Sequence, residues 1–557
     1  MPKTDPKSVN RRFQELKDQR SQWEPLWKDI RDYIAPDLGI FPGEENTEGG
    51  KRYQRMYDAE AICCADILAA GLLTGVSSPS RPWLKLTTLD PELDADPEVK
   101  EYMGDIEKRM LMVFAKAEVY NALHQSYVEL PVFGQACTIV RPHPSRLISL
   151  QNLTIGEYWL SADPYGTVDT MYRRFRMTAK QMVQMWGLDN VSEQIKSAYC
   201  TDPFKRFDII HAIEPRWERD ETKRDVMNKP WKSIYFEEGN EKAILSEGGF
   251  DTFPVMCPRW MTCGPSVYGR GPGARALSAS KSLQRLQARL ATLVDYQSNP
   301  PRSYPASYKG KLNEFKPGGL IPVNPNEQAA LRVAWEVSGD PNALQLLIDA
   351  RKQEIQRYFF ANVFQMIAAS AGDQRTATEV QALEQEKVLL LGPVLERLHS
   401  ELLDPLVSTT FNMLVENDQL PEPPEAIIGK NLNVEYISVL AKQQKNASMQ
   451  GIVNCVTQIG ALAQLNPEAL DKIDTDAVID ELADMNGVPP SLIVSGNRLA
   501  LIRQNRAAQQ QALLRQQQIQ NAAATMKDLG QAADSQGLQN LEDMSGGSPV
   551  EQRCPCE

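Results

Sequence analysis

Histidine is scarce in this chain: four in 557 residues, His124, His143, His211 and His399, with no i, i+4 pair bracketing a glutamate. That removes the helical zinc-hydrolase signature, in which two imidazoles one turn apart share a metal. The phosphate-cradling loop Gly-x-x-x-x-Gly-Lys-Ser/Thr is also missing, so nucleotide hydrolysis of that kind is not expected. No run of about 18 apolar residues occurs, hence no transmembrane helix and no membrane partner are expected. Met1 to Arg12 is polar and lacks the apolar core of a secretory signal. The nine cysteines are odd in number and scattered, which reads as reduced cytosolic thiols rather than a disulfide framework. Cys63 and Cys64 fall in a helical run and read as small buried thiols. Cys554 and Cys556 lack the second ligand pair of a metal site. A basic excess is absent too: Lys and Arg number 60 against 72 Asp and Glu, for a net charge of −12. Proteins that grip nucleic acid tightly replace condensed counterions with basic patches, so tight gripping is not expected and loose passage of DNA is allowed. No catalytic, cofactor or metal constellation emerges.

What is present is an ordinary apolar fraction of 42% and enough length for three or more structural units. Val9, Phe13 and Leu16, then Trp23, Trp27, Ile30 and Ile34, follow helical spacing. Ser21 with Glu24 fits a capping box and places a helix break near Ser21. Residues 57–74 and 98–130 read as further helices. From 136 to 261 short alternating runs and frequent turn signals predict β structure with one helical insert near 179–186. Gly269 to Gly273 precedes a helix; a hinge is the plainer reading beside an anion-binding loop. Thr376 to Glu379 fits a second capping box, opening a long helix to about residue 417 that Pro393 and Pro405 should kink. A proline-rich linker covers 420–428, helices follow at 439–465 and 475–486, and 498–526 reads as one weakly apolar helix. The tail beyond Gly530 has a disordered composition.

The strongest pattern lies at 275–363. One amphipathic helix runs over 275–298 with Leu283, Leu286, Leu290 and Leu293 on one side. A second runs over 341–363 with Leu344, Leu347, Ile348, Ile355 and Phe359. Between them lies a compact proline- and glycine-rich segment. Narrow apolar stripes suit helices that pack on neighbours, other subunits among them. Lys281, Arg285 and Arg289 form a basic stripe about 120° from the leucines, by the 100° step of a helix. It is either a solvated face with acidic partners on a neighbouring subunit or a weak phosphate-facing rail. Gln374 and Arg375, just before the second capping box, carry the same ambiguity. Tyr304, Tyr308 and Phe315 lie among Lys309, Lys311 and Lys316. Such interleaving can stack single-stranded bases, but with the prolines it marks a small folded tip with a docking surface.

Several stretches, in this order, resemble the portal proteins (head-to-tail connectors) of short-tailed, podovirus-type bacteriophages. They are Trp23-Glu-Pro-Leu-Trp27, Tyr57-Asp58, Leu68-Ala-Ala-Gly-Leu72, Ser78-Pro-Ser-Arg-Pro-Trp83, Phe133-Gly134, Tyr268-Gly-Arg-Gly-Pro-Gly273 and Arg375-Thr-Ala-Thr-Glu379. The resemblance implies an α+β, mainly α, portal fold in a ring of twelve copies around a channel for double-stranded DNA. It implies a wing over 1–274, stem helices at 275–298 and 341–363, a clip at 299–340 and a channel loop at 364–376. A long kinked wing helix at 377–419, a crown at 420–497 and a barrel helix at 498–530 would follow. The implied chain is not an enzyme. Its implied partners are the terminase large subunit, major capsid protein, scaffolding protein and tail adaptor or nozzle proteins. Its place would be the capsid portal vertex of the virion, after assembly in the host bacterial cytoplasm. On this reading Gln374, Arg375, Lys281, Arg285 and Arg289 are DNA-facing candidates, and Tyr304, Tyr308, Lys309 and Lys311 are clip docking candidates. The alternatives are a scaffolding or internal virion protein organised by the Gln-rich C-terminal helix, and an enzyme, for which no carboxylate or histidine cluster assembles.

Overall fold

The computed structural model describes residues 4–44, 52–88, 90, 93, 96–223, 225–240, 244–298, 302–303, 332–333, 339–362, 364, 391–427 and 432–436, then 455, 459, 478–479, 499, 502–512 and 514–515. The chain forms two compact units, Met1–Gln458 and Ile459–Glu557. In the second, 502–512 is helical and wholly exposed, within the helix expected over 498–526.

The first unit opens with α1 (Pro6–Ser21). Asp5 caps it by accepting the Lys7 N–H at 3.2 Å, with Pro6 presetting the first turn. Its apolar residues Val9, Phe13 and Leu16 lie on an antiparallel five-stranded sheet. That sheet runs in sequence order: β4 (Tyr158–Ala162), β5 (Val168–Thr178), β6 (Arg206–Pro215), β7 (Trp231–Glu237) and β8 (Ser246–Phe250). Because strand side chains alternate, the row Tyr172, Ala212, Ile234 meets α1. The opposite face is covered by α6 (Ala179–Trp186) and α7 (Glu193–Thr201). Only the first of these helices is expected from sequence. The second starts where Ser192 Oγ accepts the Ile195 N–H, a local cap with no long apolar repeat behind it.

The break after Ser21 is present, but the capping box is not. Ser21 Oγ donates to the Asp18 carbonyl at 2.6 Å, and Glu24 is taken by Arg20 at 2.9 Å. Arg20 is fully buried. It stacks 3.9 Å from the Trp159 ring and donates to the carbonyls of Gly156 and Tyr158, tying α1 to the sheet. Burial pushes its pKa down; Tyr268 and Glu24 oppose this.

The larger core joins α2 (Glu24–Tyr33), α3 (Glu60–Val76), α4 (Pro97–Lys116) and α5 (Val119–Phe133). Against these pack β2 (Cys137–His143), β3 (Leu147–Leu153), β9 (Val255–Met256), part of α8 (Pro272–Ser298), α9 (Pro341–Tyr358) and the helix ending as α10 (Asp404–Glu416). The two helices read over 98–130 are α4 and α5, joined where Glu118 takes φ +57°. Cys64 is buried as expected, whereas Cys63 is exposed.

A backbone crossing anchors α8. A Cβ on Gly269 would stand 2.2 Å from the Gly134 carbonyl oxygen, and one on Gly273 2.1 Å from that of Val132. Gly269 to Gly273 therefore serves close packing on the end of α5, not an anion-binding loop. The helix that includes 391–398 reaches α10 through a π turn, His399–Leu403, where the Asp404 N–H bonds the His399 carbonyl. The π turn lies just before Pro405, whose missing N–H leaves a gap in the i→i−4 ladder. From the π turn Glu401 accepts the Arg259 backbone N–H at 2.8 Å and its guanidinium at 2.6 Å.

Two further differences from the sequence reading stand out. α9 ends at Tyr358 rather than 363, and Phe360 is left-handed at φ +55°. A strand unforeseen between the linker and residue 439, β12 (Leu432–Tyr436), pairs antiparallel with β1 (Leu84–Thr88).

Glu129 lies buried in α5, its Oε2 without a hydrogen-bond partner. Burial raises its pKa from 4.5 to about 8; hydrogen bonds from Thr154 and Ile155 oppose this and the nearby Glu157 adds to it. The folded chain thus keeps a proton that the unfolded chain releases, and stability falls as pH rises from about 4.5 to about 8. Glu129→Gln should flatten that slope and raise stability by about 1–3 kcal/mol above pH 8, as measured by denaturant unfolding at several pH values. Gly273→Ala should cost about 1–3 kcal/mol or more in the same assay, because its methyl meets backbone that cannot yield.

Candidate functional site: a helix pair with a basic face

Helices α8 and α9 pack on one another, and the Gln297 amide donates to the Gly339 carbonyl at 2.8 Å where the second approaches the end of the first. Beyond them β10 (Arg302–Ser303) pairs antiparallel with β11 (Arg332–Val333), so the chain leaving α8 returns beside itself. The leucine stripe packs in part within the subunit. Leu283 is buried, Leu286 and Leu290 pack on the same core, and Ile348, Ile355 and Phe359 are buried from α9. Leu283 thus faces its own subunit, while Leu286, Leu290 and Leu293 are half-buried. The exposed apolar groups are different ones: Leu346 and Leu347 on α9, and Val294 and Tyr296 on α8. Only Leu347 belongs to the expected stripes.

One polar node fixes the pair to the body. Gln284, buried on α8, accepts the backbone N–H groups of Tyr57 and Asp58 at 2.6 and 2.9 Å and donates to the Asp58 carbonyl at 2.8 Å. The Asp58 carboxylate takes Gln287 from α8 at 2.8 Å and Lys352 from α9 at 2.7 Å, and also accepts the Glu60 N–H opening α3. Lys352 reaches Glu60 at 3.6 Å, and Gln356 donates to it at 2.7 Å. Burial pushes the Asp58 pKa up, yet the bonds from Lys352, Glu60 and Gln287 win and hold the carboxyl below its usual range. Lys352 responds in kind: burial lowers its pKa, and Asp58 and Glu60 raise it beyond that loss. In the sequence Asp58 stands only as part of the Tyr57-Asp58 dipeptide; no local signal marks it as a three-helix node.

The basic stripe divides. Lys281 donates to Asp29 of α2 at 2.7 Å and lies 5.2 Å from the Tyr33 ring, so its charge is matched inside the subunit. Arg285 and Arg289 are exposed and have no partner among the described residues. They lie one turn apart, which leaves two cations about 6 Å apart along the helix for something outside the subunit. Gln374, Arg375, Tyr304, Tyr308, Lys309 and Lys311, with the second capping box, lie outside the described residues. Among the described residues no three His, Cys, Asp or Glu side chains gather as metal ligands, and no helix is long and apolar enough to cross a membrane.

Comparison with known proteins covers nearly the whole chain. A "Probable portal protein" of Bordetella phage BPP-1 is 42% identical over 532 residues, 95% of this chain and 96% of that protein. The "Portal protein" of Salmonella phage epsilon15 is 36% identical over 554 residues, 98% and 99% of the two chains. A chain in the solved neck of an empty GTA particle aligns at 11% identity and TM-score 0.34, over 75% of this chain and 93% of that one, a likeness too slight to bear on the fold. The family described as "Bacteriophage head to tail connecting protein" matches residues 6–494, and with relatives this similar from end to end the chain belongs to that family of portal proteins.

Proposed function

We propose that this protein forms the portal ring at a capsid vertex: a channel for double-stranded DNA during packaging and ejection, docking the terminase motor and then the tail. The observation that carries this reading is likeness to phage portal proteins across at least 95% of the chain. The described architecture is compatible with it. A helix pair is held on a large body by buried polar bonds, with apolar groups and two unmatched cations on its outside. Twelve copies would form the ring, with α8 and α9 as stem helices and 299–340 as the clip. In this scheme 1–274 is the wing, 364–376 the channel loop, 377–419 the long wing helix, 420–497 the crown and 498–530 the barrel. The clip candidates Tyr304, Tyr308, Lys309 and Lys311 would meet the terminase large subunit and later the tail adaptor or nozzle proteins. Major capsid and scaffolding proteins would surround the ring in the virion. No catalytic role is proposed.

The charge pattern fits a sliding polymer. A basic lumen would hold DNA through counterion release, whereas an acidic chain with isolated cations leaves the duplex free to move. Arg285 and Arg289 replace the three-residue rail as DNA-facing candidates on α8, because Lys281 is neutralised by Asp29. Gln374 and Arg375 complete the proposal on the channel loop.

Electron microscopy and mass measurement of the purified protein should give rings with a lumen just wider than a duplex. Monomers under all conditions, with capsid and scaffolding proteins present, would overturn the reading. Truncation after Asn497 should leave rings intact; collapse would favour a scaffold organised by the C-terminal helix. The double substitution Arg285→Ala and Arg289→Ala should still yield rings but lower the DNA packaged per particle. Loss of the rings would instead place these two arginines at a subunit seam.

A further inference from the structure

Away from the helix pair, the face of the five-stranded sheet under α6 and α7 carries the cross-strand row Arg173, His211, Tyr235. Tyr235 and His211 stack with ring centroids 4.0 Å apart and planes 3° from parallel. Arg173 is 2% exposed. Its Nε donates to His211 Nδ1 at 3.1 Å and its Nη1 to Gln151 Oε1 at 2.9 Å, while its guanidinium lies 4.6 Å from the Phe175 ring. His211 Nδ1 is therefore an acceptor, and the ring proton sits on Nε2, which donates to Ser233 Oγ at 2.9 Å. A neutral imidazole fits this place: burial, then the charge of Arg141, holds the His211 pKa well below its usual value.

Arg173 thus meets only neutral groups among the described residues. Arg141 shares the condition. It lies on β2 opposite Ser149, in the same hairpin that supplies Gln151, and its Nη2 is buried without a hydrogen-bond partner. Three other arginines in or beside this sheet are matched by carboxylates. Arg174 pairs with Asp208 and Glu238 at 3.1 and 2.8 Å, Arg176 with Asp208 at 2.8 Å, and Arg216 with Glu247 at 3.1 Å. Carboxylates pair with these three arginines, yet Arg173, buried beside His211, and Arg141, half-buried on β2 with a buried Nη2, have none among the described residues. A buried cation without a counter-charge is costly, whereas a guanidinium is well shaped to hold a two-oxygen anion.

We infer that Arg141 and Arg173 form an oxyanion site between the β2–β3 hairpin and the sheet. The ligand is a phosphate-type ion or a side-chain carboxylate. Gln151, exposed at the rim, leaves that side open to solvent. His211 acts as a positioning residue: it orients Arg173 through Nδ1 and, being neutral, takes no share of the anion's charge. The two sources of such an anion are a free ion and an acidic side chain of a second copy of this chain.

The test compares wild type with Arg141→Gln and Arg141→Lys. Inorganic phosphate is titrated against thermal unfolding of dilute, unassembled protein, with chloride at matched ionic strength as the control. Wild type should gain melting temperature with phosphate alone. Arg141→Gln should need about tenfold more phosphate or greater, as expected for a lost charged hydrogen bond. Arg141→Lys keeps the charge and loses the fork, so it should fall between them; it also carries the comparison if the Gln variant does not fold. If dilute wild type ignores phosphate but the Arg141 variants assemble only at higher protein concentration, the anion is a carboxylate of a neighbouring copy. If phosphate acts equally on all three, or neither phosphate response nor assembly changes with Arg141, the assignment is wrong.

Discussion

No side chain can stand between the segment Gly269–Gly273 and the end of α5. Two backbones touch there, with carbonyl oxygens where a Cβ would be, and α8 begins from that contact. The start and direction of the helix pair follow from it. Three turns on, Gln284 and Gln287 meet Asp58, and Lys352 closes the same carboxylate from the other helix. A steric contact and a polar node, at two heights on one helix, leave the pair little freedom to swing. The outer half, with Val294 and Tyr296 exposed, is held mainly by its own partner helix.

Buried arginine is the recurring joint of the first unit. Arg20 ties α1 to the sheet through two carbonyls, a carboxylate and an indole face. Arg259 ties the chain before α8 to the π turn through Glu401 and reaches the Gly166 carbonyl. Guanidinium suits this work because its donors point along several directions in one plane, and it is less strongly hydrated than an ammonium. Burying it is tolerated where acceptors surround it, which makes the neutral surroundings of Arg173 informative.

Helices with a long apolar repeat were readable from sequence. Val9, Phe13 and Leu16, or Leu283 and Leu286, declare a face by spacing alone, and glycines and prolines marked where those helices begin. The pairing of β1 with β12 was not readable, since a five-residue strand says nothing of a partner hundreds of positions away. Ser21 matched a capping pattern, but Arg20 claims Glu24 and the motif dissolves. The basic stripe shows the same limit at the candidate site. Lys281, Arg285 and Arg289 are equivalent by spacing, and only the approach of Asp29 from α2 separates one from the others. Whether the leucines faced inward or towards another copy was likewise a question of packing. The buried core answers it for Leu283.

The π turn at His399–Leu403 has a consequence for the helix that contains it. A π turn is an α-helix with one residue too many, so every side chain after it is rotated by about 100° from where an unbroken helix would place it. Leu395 and Leu398 before the turn and Leu406, Val407 and Leu414 after it all reach the same core, although no single straight stripe joins them. The turn thus brings both halves of the helix onto one core, and Glu401 sits within it. Deleting one residue there would restore a regular helix with its two halves still in their present phase, whereas straightening the full-length helix would turn the second half about 100° away from the core it meets.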